Sequence, residues 1–139
     1  MGIAAYQNNF VVSFHDPPGV RIISKDDAVI HKLDNTTAGR EVFKEPRWIA
    51  TTSDDSIYVT DWGTDEITRL DSSLIILQMF SGSMLSAPHG IISLNRDQLL
   101  VCNKFNNNIL TLRPSTSNIT ILLDKQHELE NQLSLCFCK

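Results

Sequence analysis

Apolar and polar residues alternate over short stretches of this chain, and clusters of polar turn residues separate the stretches. The stretch Ser56–Asp61 is rich in β-branched and aromatic residues, and it places Ile57 and Val59 on one side of an extended backbone. This period-two alternation predicts a strand with a buried face. Residues 124–131 come nearest to the 3.6-residue period of a helix, and we interpret them as a loop. The pattern therefore predicts an all-β chain.

The same pattern returns after forty-two residues. Pro46 and Pro88 open two units whose apolar and turn positions keep this spacing. The matched pairs are Ile49 and Ile91, Ile57 and Leu99, Val59 and Val101, Asp61 and Asn103, Ile67 and Ile109, and Leu70 and Leu112. A looser match at forty-seven residues relates Val12 to Val59 and Val20 to Ile67. A period near forty residues indicates small β-sheets in a stack or a ring.

Each unit has room for four short strands, which is the content of one propeller blade. For the middle unit we predict the strands Ile49–Thr52, Ser56–Asp61, Glu66–Leu70 and Leu74–Phe80. The matching strands elsewhere include Gly19–Ile23, Asp97–Asn103, Asn108–Leu112 and Asn118–Leu123. Turn-forming residues lie between them, so we expect each unit to fold as an antiparallel sheet.

The units divide the chain into a degenerate blade at 1–45, blades at 46–87 and 88–131, and the start of a truncated further repeat at 132–139. A closed propeller has four to eight blades, so about three blades predict an arc. A bare blade face of about 400 Å² would forgo about 10 kcal/mol of hydrophobic stabilisation. We therefore expect either a fragment of a longer chain, which the sequence favours, or self-association of two copies through open blade faces.

Composition fits a soluble globular chain, because 42% of its 139 residues are hydrophobic and 20% are charged. The net charge of −4 and the lack of a Lys/Arg-dense segment disfavour nucleic-acid binding. No apolar run is long enough to cross a membrane, and the first residues lack the basic region of a signal peptide, so we expect a cytoplasmic chain. We interpret Cys102, Cys136 and Cys138 as strand residues and not as zinc ligands.

The best-preserved units resemble the NHL repeat. Pro88-His89-Gly90-Ile91, the strand Leu99–Asn103 and Asn106-Asn107-Asn108-Ile109 match its pattern of Pro-x-Gly-Ile, an apolar strand ending in Asp or Asn, and Asn-x-x-Ile. In the first unit the match is degenerate, with Phe14 at the position of the acidic residue. The resemblance implies part of a six-bladed NHL-type propeller. It also implies a tripartite-motif-like parent protein, in which modules absent from this chain would carry ubiquitin-ligase chemistry.

Two polar residues at strand ends raise the question of catalysis. Asp61 and Asn103 could serve as channel ligands, as in gluconolactonase- or lyase-like propeller enzymes, which is the alternative function. A hard cation needs about six converging oxygens. We instead expect each side chain to bond the backbone of its own turn. We therefore predict no catalytic residue, no metal site and no cofactor.

Binding is the favoured function, because loops on a rigid scaffold are where recognition concentrates. Trp62 follows the second strand of its unit, and Lys104 occupies the same position one unit later. Arg47, Trp48 and His89 flank a connection that we place at the opposite end of the blades, with His89 at the end of a loop. Since Trp and Arg are common interface anchors, these five residues are the predicted binding site of a protein partner. Either tryptophan could instead pack between blades, and an RNA-binding propeller face is the second alternative function.

Overall fold

The computed structural model describes residues 1–124, and these form three four-stranded antiparallel sheets. Within each sheet the strands follow one another in chain order. Blade 1 comprises β1 (Ile3–Tyr6), β2 (Asn9–His15), β3 (Pro18–Ile23) and β4 (Val29–Asp34). Blade 2 comprises β5 (Pro46–Thr51), β6 (Ile57–Asp61), β7 (Glu66–Leu70) and β8 (Ile76–Phe80). Blade 3 comprises β9 (Pro88–Asn95), β10 (Gln98–Asn103), β11 (Asn108–Arg113) and β12 (Asn118–Leu123).

The predicted all-β architecture of three blades is therefore confirmed. The repeat-related strands β6 and β10 lie in different sheets, as the blade interpretation requires. The predicted further repeat at 132–139, with Cys136 and Cys138, lies outside the described residues. Within residues 1–124, no helix has the length and apolar character needed to cross a membrane.

Some element boundaries differ from the prediction. β5 begins at Pro46 and not at Ile49, because Pro46 already pairs with Asp61 across the sheet. β8 begins at Ile76 and not at Leu74, since Leu74 has a positive φ of 60° and its N–H closes a turn on the carbonyl of Asp71. A turn closed in this way cannot continue the ladder with β7.

The sequence pattern also missed a short helix, α1 (Asn35–Ala38), and the strand β4 before it. Asp34 caps this helix: its carboxylate accepts the N–H of Thr37 at 2.8 Å, and the Thr37 hydroxyl accepts the N–H of Asp34 at 2.8 Å. Gly39 ends the helix with φ 68°. A single turn is too short to show helical periodicity, so its capping residues are its only local signal.

Apolar cores fill the spaces between neighbouring blades. Ile57 and Val59 of β6 face blade 1, whereas Tyr58 of the same strand faces blade 3. Every residue of β6 is consequently buried. Alternation along this strand therefore divides its side chains between two cores, and not between a core and solvent.

Hydroxyl groups on the second strands of blades 1 and 2 bond the first strand of the next blade. Thr60 Oγ1 accepts the N–H of Trp48 at 3.2 Å and donates to the carbonyl of His89 at 2.9 Å. In blade 1, Ser13 Oγ accepts the N–H of Gly2 at 2.8 Å and donates to the carbonyl of Arg47 at 3.2 Å. A hydroxyl-to-carbonyl bond thus joins blade 1 to blade 2 and blade 2 to blade 3, and it fixes the backbone at Arg47 and His89.

Blade 1 has one uncovered face. Ile3 is 63% exposed, whereas its repeat equivalents Ile49 and Ile91 are 8% and 1% exposed. Phe10 is 37% exposed, and its equivalent Ile57 is fully buried. These positions face the preceding blade in the other two sheets, so the uncovered face is the bare end expected for an arc.

The face of blade 3 that points away from blade 2 is better covered than the uncovered face of blade 1. Cys102 and Ile109, which pair across β10 and β11, are fully buried. On β12, Ile121 and Leu122 are about half exposed. An arc of blades is expected to leave one bare face at each end, and this holds for blade 1 and only in part for blade 3. The prediction that Cys102 is a buried strand cysteine is confirmed.

Candidate functional site

The predicted binding residues all lie along one edge of blades 2 and 3. In blade 2, antiparallel pairing of Pro46 with Asp61 puts the start of β5 beside the end of β6. In blade 3, pairing of Pro88 with Asn103 does the same for β9 and β10. The prediction that Trp62 lies at the opposite end from the other residues was therefore wrong. It was wrong because a residue that follows an antiparallel strand lies at the edge where its partner strand begins.

The indole ring of Trp62 is the centre of these contacts. Arg47 Cζ lies 4.9 Å and Lys104 Nζ 4.4 Å from the centroid of this ring. The His89 ring meets it edge-on at 5.0 Å, and the Phe105 ring does so at 5.9 Å. Cation–π and edge-to-face contacts at such distances are favourable.

Trp48 extends this group, because its ring lies 5.2 Å from that of His89. Trp48 also packs against the core between blades 2 and 3, so the interpretation of this tryptophan as an inter-blade residue holds as well. We name the group the aromatic–cation cluster, and its members are Arg47, Trp48, Trp62, His89, Lys104 and Phe105.

Phe105 was missed in the sequence analysis, although it is 63% exposed. A large aromatic residue directly before the turn Asn106-Asn107 was the available signal. Its relevance depended on the position of Trp62, which comes from the neighbouring blade. The residue therefore gained significance only from a contact between blades.

Asp61 holds the connections that carry the cluster. Its Oδ1 accepts the N–H groups of Glu45 at 2.9 Å, Gly63 at 2.9 Å and Thr64 at 3.2 Å. Its Oδ2 accepts the N–H of Lys44 at 2.8 Å. These are the backbone of its own turn and of the connection that enters blade 2. The expected backbone role is thereby found, and both oxygens are already engaged.

Asn103 plays a related part in blade 3. Its Oδ1 accepts the N–H of Ser86 at 2.7 Å, and its Nδ2 donates to the carbonyl of Met84 at 2.6 Å. These bonds go to the connection before blade 3. The prediction that Asn103 bonds the backbone of its own turn was therefore wrong. No group of three or more His, Cys, Asp or Glu residues suited to a metal occurs in residues 1–124.

His89 lies in β9 and is only 9% exposed. The prediction that it lies at the end of a loop was therefore wrong. Burial lowers the pKa of His89 to about 4, with the positive charges of Arg47 and Lys104 adding to the shift. Its imidazole is therefore neutral at pH 7. A general base works best with a pKa near the working pH, so this histidine suits packing and not proton transfer.

The stability of the fold should depend on His89 as the pH falls. The unfolded chain binds a proton at this residue below about pH 6.5, whereas the folded chain binds it only near pH 4. We therefore expect the free energy of unfolding to fall by about 2 kcal/mol more in the wild type than in His89→Phe between these two pH values. Urea denaturation across this range measures the difference. If the free energy of unfolding fell equally with pH in the two proteins, the lowered pKa of His89 would be contradicted.

A cavity of about 320 Å³ lies at the opposite edge of the same two blades. Three of its four charged side chains have close partners: Arg69 pairs with Asp54 at 3.2 Å, and Asp97 accepts from the hydroxyl of Ser115 at 2.7 Å, whereas Arg96 forms no ion pair within residues 1–124. Arg69 also donates to Ser56 at 3.0 Å. Since these groups are largely satisfied within the chain, the cavity offers less to a ligand than the aromatic–cation cluster.

Comparisons with known proteins show the fold. No family model matches the chain, and neither does any curated protein. The virginiamycin B lyase from Staphylococcus aureus superposes with a TM-score of 0.72 at 22% identity, over 87% of this chain and 40% of that chain. A streptogramin B lyase gives 0.71 at 19% identity, over 86% and 39% of the two chains. The RRP9 WD40 repeats give 0.71 at 13% identity, over 86% and 36%.

These neighbours are β-propellers, and this chain spans less than half the length of each. They include lyases as well as WD40 repeats, so the fold leaves the function to be argued from the site. Together with the three four-stranded sheets, the comparisons establish that the described part of the chain is a partial β-propeller.

Proposed function

We propose that this chain is a non-catalytic recognition module that binds a protein partner through the aromatic–cation cluster. The observation that carries the proposal is the convergence of two tryptophans, an exposed phenylalanine and two cations on one edge of the propeller arc. Aromatic residues and arginine dominate the binding energy of protein interfaces. Here they are brought together from two blades.

The scaffold beneath the cluster supports this role. Thr60 bonds the strand backbone at Trp48 and His89, and Asp61 bonds the connection before β5 and the turn after β6. These bonds hold the cluster in place before a partner arrives. A preorganised surface loses less conformational freedom on binding, which favours affinity.

The resemblance to NHL repeats extends the proposal to the parent protein. A tripartite-motif-like parent would use this surface to select its partner and would place any ubiquitin-ligase chemistry in a separate module. The rival function is a propeller lyase or gluconolactonase, since lyases are among the structural neighbours. Against it, both oxygens of Asp61 are engaged by backbone N–H groups, and His89 is buried and neutral.

Peptide selection tests the proposal. A random peptide library displayed on phage is selected on the immobilised chain, and binding of the enriched peptides is then measured by calorimetry. We expect Trp62→Ala to weaken these peptides at least tenfold, or by about 1.4 kcal/mol, because the substitution removes the central ring.

Leu77→Ala is the matched control, since Leu77 is 51% exposed on the outer strand β8, away from the cluster. It should bind the peptides as the wild type does. Circular dichroism first establishes that each variant is folded. A library that yields no binder, or binders that ignore Trp62→Ala, would overturn the proposal.

A further inference from the structure

The charges around the aromatic–cation cluster point to the chemistry of its partner. Lys104 Nζ lies 4.4 Å from the Trp62 centroid and 6.0 Å from that of Phe105. Within residues 1–124, no carboxylate lies close enough to form an ion pair with Lys104. The ammonium group is therefore held against aromatic rings while its charge has no anionic partner in the described chain.

The second cation is only partly neutralised. Arg47 forms an ion pair with Glu45 at 3.4 Å, and both side chains are partly exposed. Arg47 Nε is buried and lacks a hydrogen-bond partner among the described residues. A buried donor without an acceptor is costly, so the guanidinium of Arg47 is not fully satisfied within the described residues.

The nearby acidic groups are engaged elsewhere. Both oxygens of Asp61 accept backbone N–H groups, and Asp65 Oδ1 accepts the N–H of Ala87 at 2.7 Å. Burial is the main cause of the low pKa of His89, and the positive charges of Arg47 and Lys104 add to it, while Glu45 is the one carboxylate in residues 1–124 that pairs with either cation. The local field at the cluster is therefore positive, although the whole chain carries a net charge of −4.

Apolar surface lies beside this positive charge. Phe105 is 63% exposed, and its ring contacts that of Trp62 edge-on. Burying an exposed phenylalanine in an interface is favourable, because its apolar surface leaves water. A ligand that brought only negative charge would leave this surface in water.

We propose that the aromatic–cation cluster binds an acidic peptide segment in which a carboxylate contacts Lys104 and Arg47 and an adjacent apolar side chain packs on Phe105. This inference rests on the proposed function, and it adds the chemical class of the partner. Protein segments combine carboxylates with apolar side chains, whereas nucleic-acid affinity depends on neutralising many phosphates and the cluster holds two cations, Arg47 and Lys104.

Three synthetic probes test the inference by fluorescence anisotropy. The first is a labelled peptide that alternates glutamate with leucine and phenylalanine, the second replaces each glutamate with glutamine, and the third replaces it with lysine. We expect the glutamate peptide to bind at least tenfold more tightly than the glutamine peptide, and its affinity to fall as salt is raised. The lysine peptide should not bind.

Lys104→Gln should weaken the glutamate peptide about tenfold, and Lys104→Glu should bring its affinity down to that of the glutamine peptide. Lys32→Gln is the matched control, because Lys32 is exposed on β4 of blade 1, away from the cluster. Phe105→Ala should weaken the glutamate and glutamine peptides equally, since it removes the apolar contact and leaves the charges unchanged.

The outcomes separate this inference from the proposed function. Equal binding of the glutamate and glutamine peptides, or no effect of Lys104→Gln, would overturn the acidic-segment inference. If such peptides still depended on Trp62, the recognition surface would stand. Binding of a single-stranded RNA oligonucleotide through Lys104, with none of the peptides bound, would overturn both.

Discussion

Replacing Asp61 with alanine is expected to lower the free energy of unfolding by about 4 kcal/mol, which is a large share of a typical domain's stability. The carboxylate is 1% exposed and accepts four backbone N–H groups. Alanine would leave all four donors without this acceptor. Each unsatisfied buried donor costs about 1–3 kcal/mol, and water reaching part of the site reduces the sum.

The loss should also reach the binding surface. Trp62 N–H donates to the carbonyl of Glu45 at 3.1 Å, so the turn that carries Trp62 and the connection that carries Glu45 are held together by the same group of bonds. Without Asp61, this connection loses its anchor. We therefore expect Asp61→Ala to weaken peptide binding as well as stability.

Urea denaturation of two further variants isolates the effect. Asp61→Asn should cost less than alanine, because an amide oxygen can keep the three bonds now made by Oδ1. Asp26→Ala, in the exposed turn between β3 and β4, should stay within about 0.5 kcal/mol of the wild type. An Asp61→Ala protein within 1 kcal/mol of the wild type would show that the carboxylate does not hold these connections.

Replacing Leu99 with alanine is expected to lower the free energy of unfolding by about 3 kcal/mol. Leu99 lies in β10, is fully buried, and belongs to the core between blades 2 and 3. The substitution removes apolar contacts and leaves a cavity that the surrounding strands can fill only in part. Because the aromatic–cation cluster spans the same two blades, a weaker junction should also loosen the cluster.

Two further variants test whether the loss of stability depends on the burial of Leu99 between blades. Leu94→Ala makes the same chemical change at a position of β9 that is 52% exposed, and it should cost less than about 1 kcal/mol. Phe10→Ala changes the repeat-equivalent position in blade 1, which is 37% exposed, so it should cost less than Leu99→Ala although more atoms are removed. Similar losses for Leu94 and Leu99 would contradict the blade-to-blade packing.

Much of the fold could be predicted because its repeats are local. Each blade comes from about forty consecutive residues, so the spacing of apolar residues and turns specified the strands of blades 2 and 3 before any contact was known. The role of Asp61 was also accessible, since a polar residue at a strand end commonly bonds the backbone of the turn that follows.

The binding surface depended on contacts that the linear pattern does not contain. The residue types of Arg47, Trp48 and Trp62 suggested interface anchors, but their common position was not predicted. Antiparallel pairing brought the end of β6 to the start of β5, and packing of blade 3 on blade 2 brought His89 and Phe105 to Trp62. These contacts join residues more than ten positions apart.

The sequence by itself therefore determined the all-β class, the blade repeat and the residue types available for binding, because strand alternation and turn chemistry act between near neighbours. Only the tertiary structure decided that Trp62, Lys104 and Phe105 meet, that His89 is buried and neutral, and that one face of blade 1 is uncovered. The physical reason is that burial and electrostatic potential at a residue depend on the strands and blades packed around it, which its own segment does not specify.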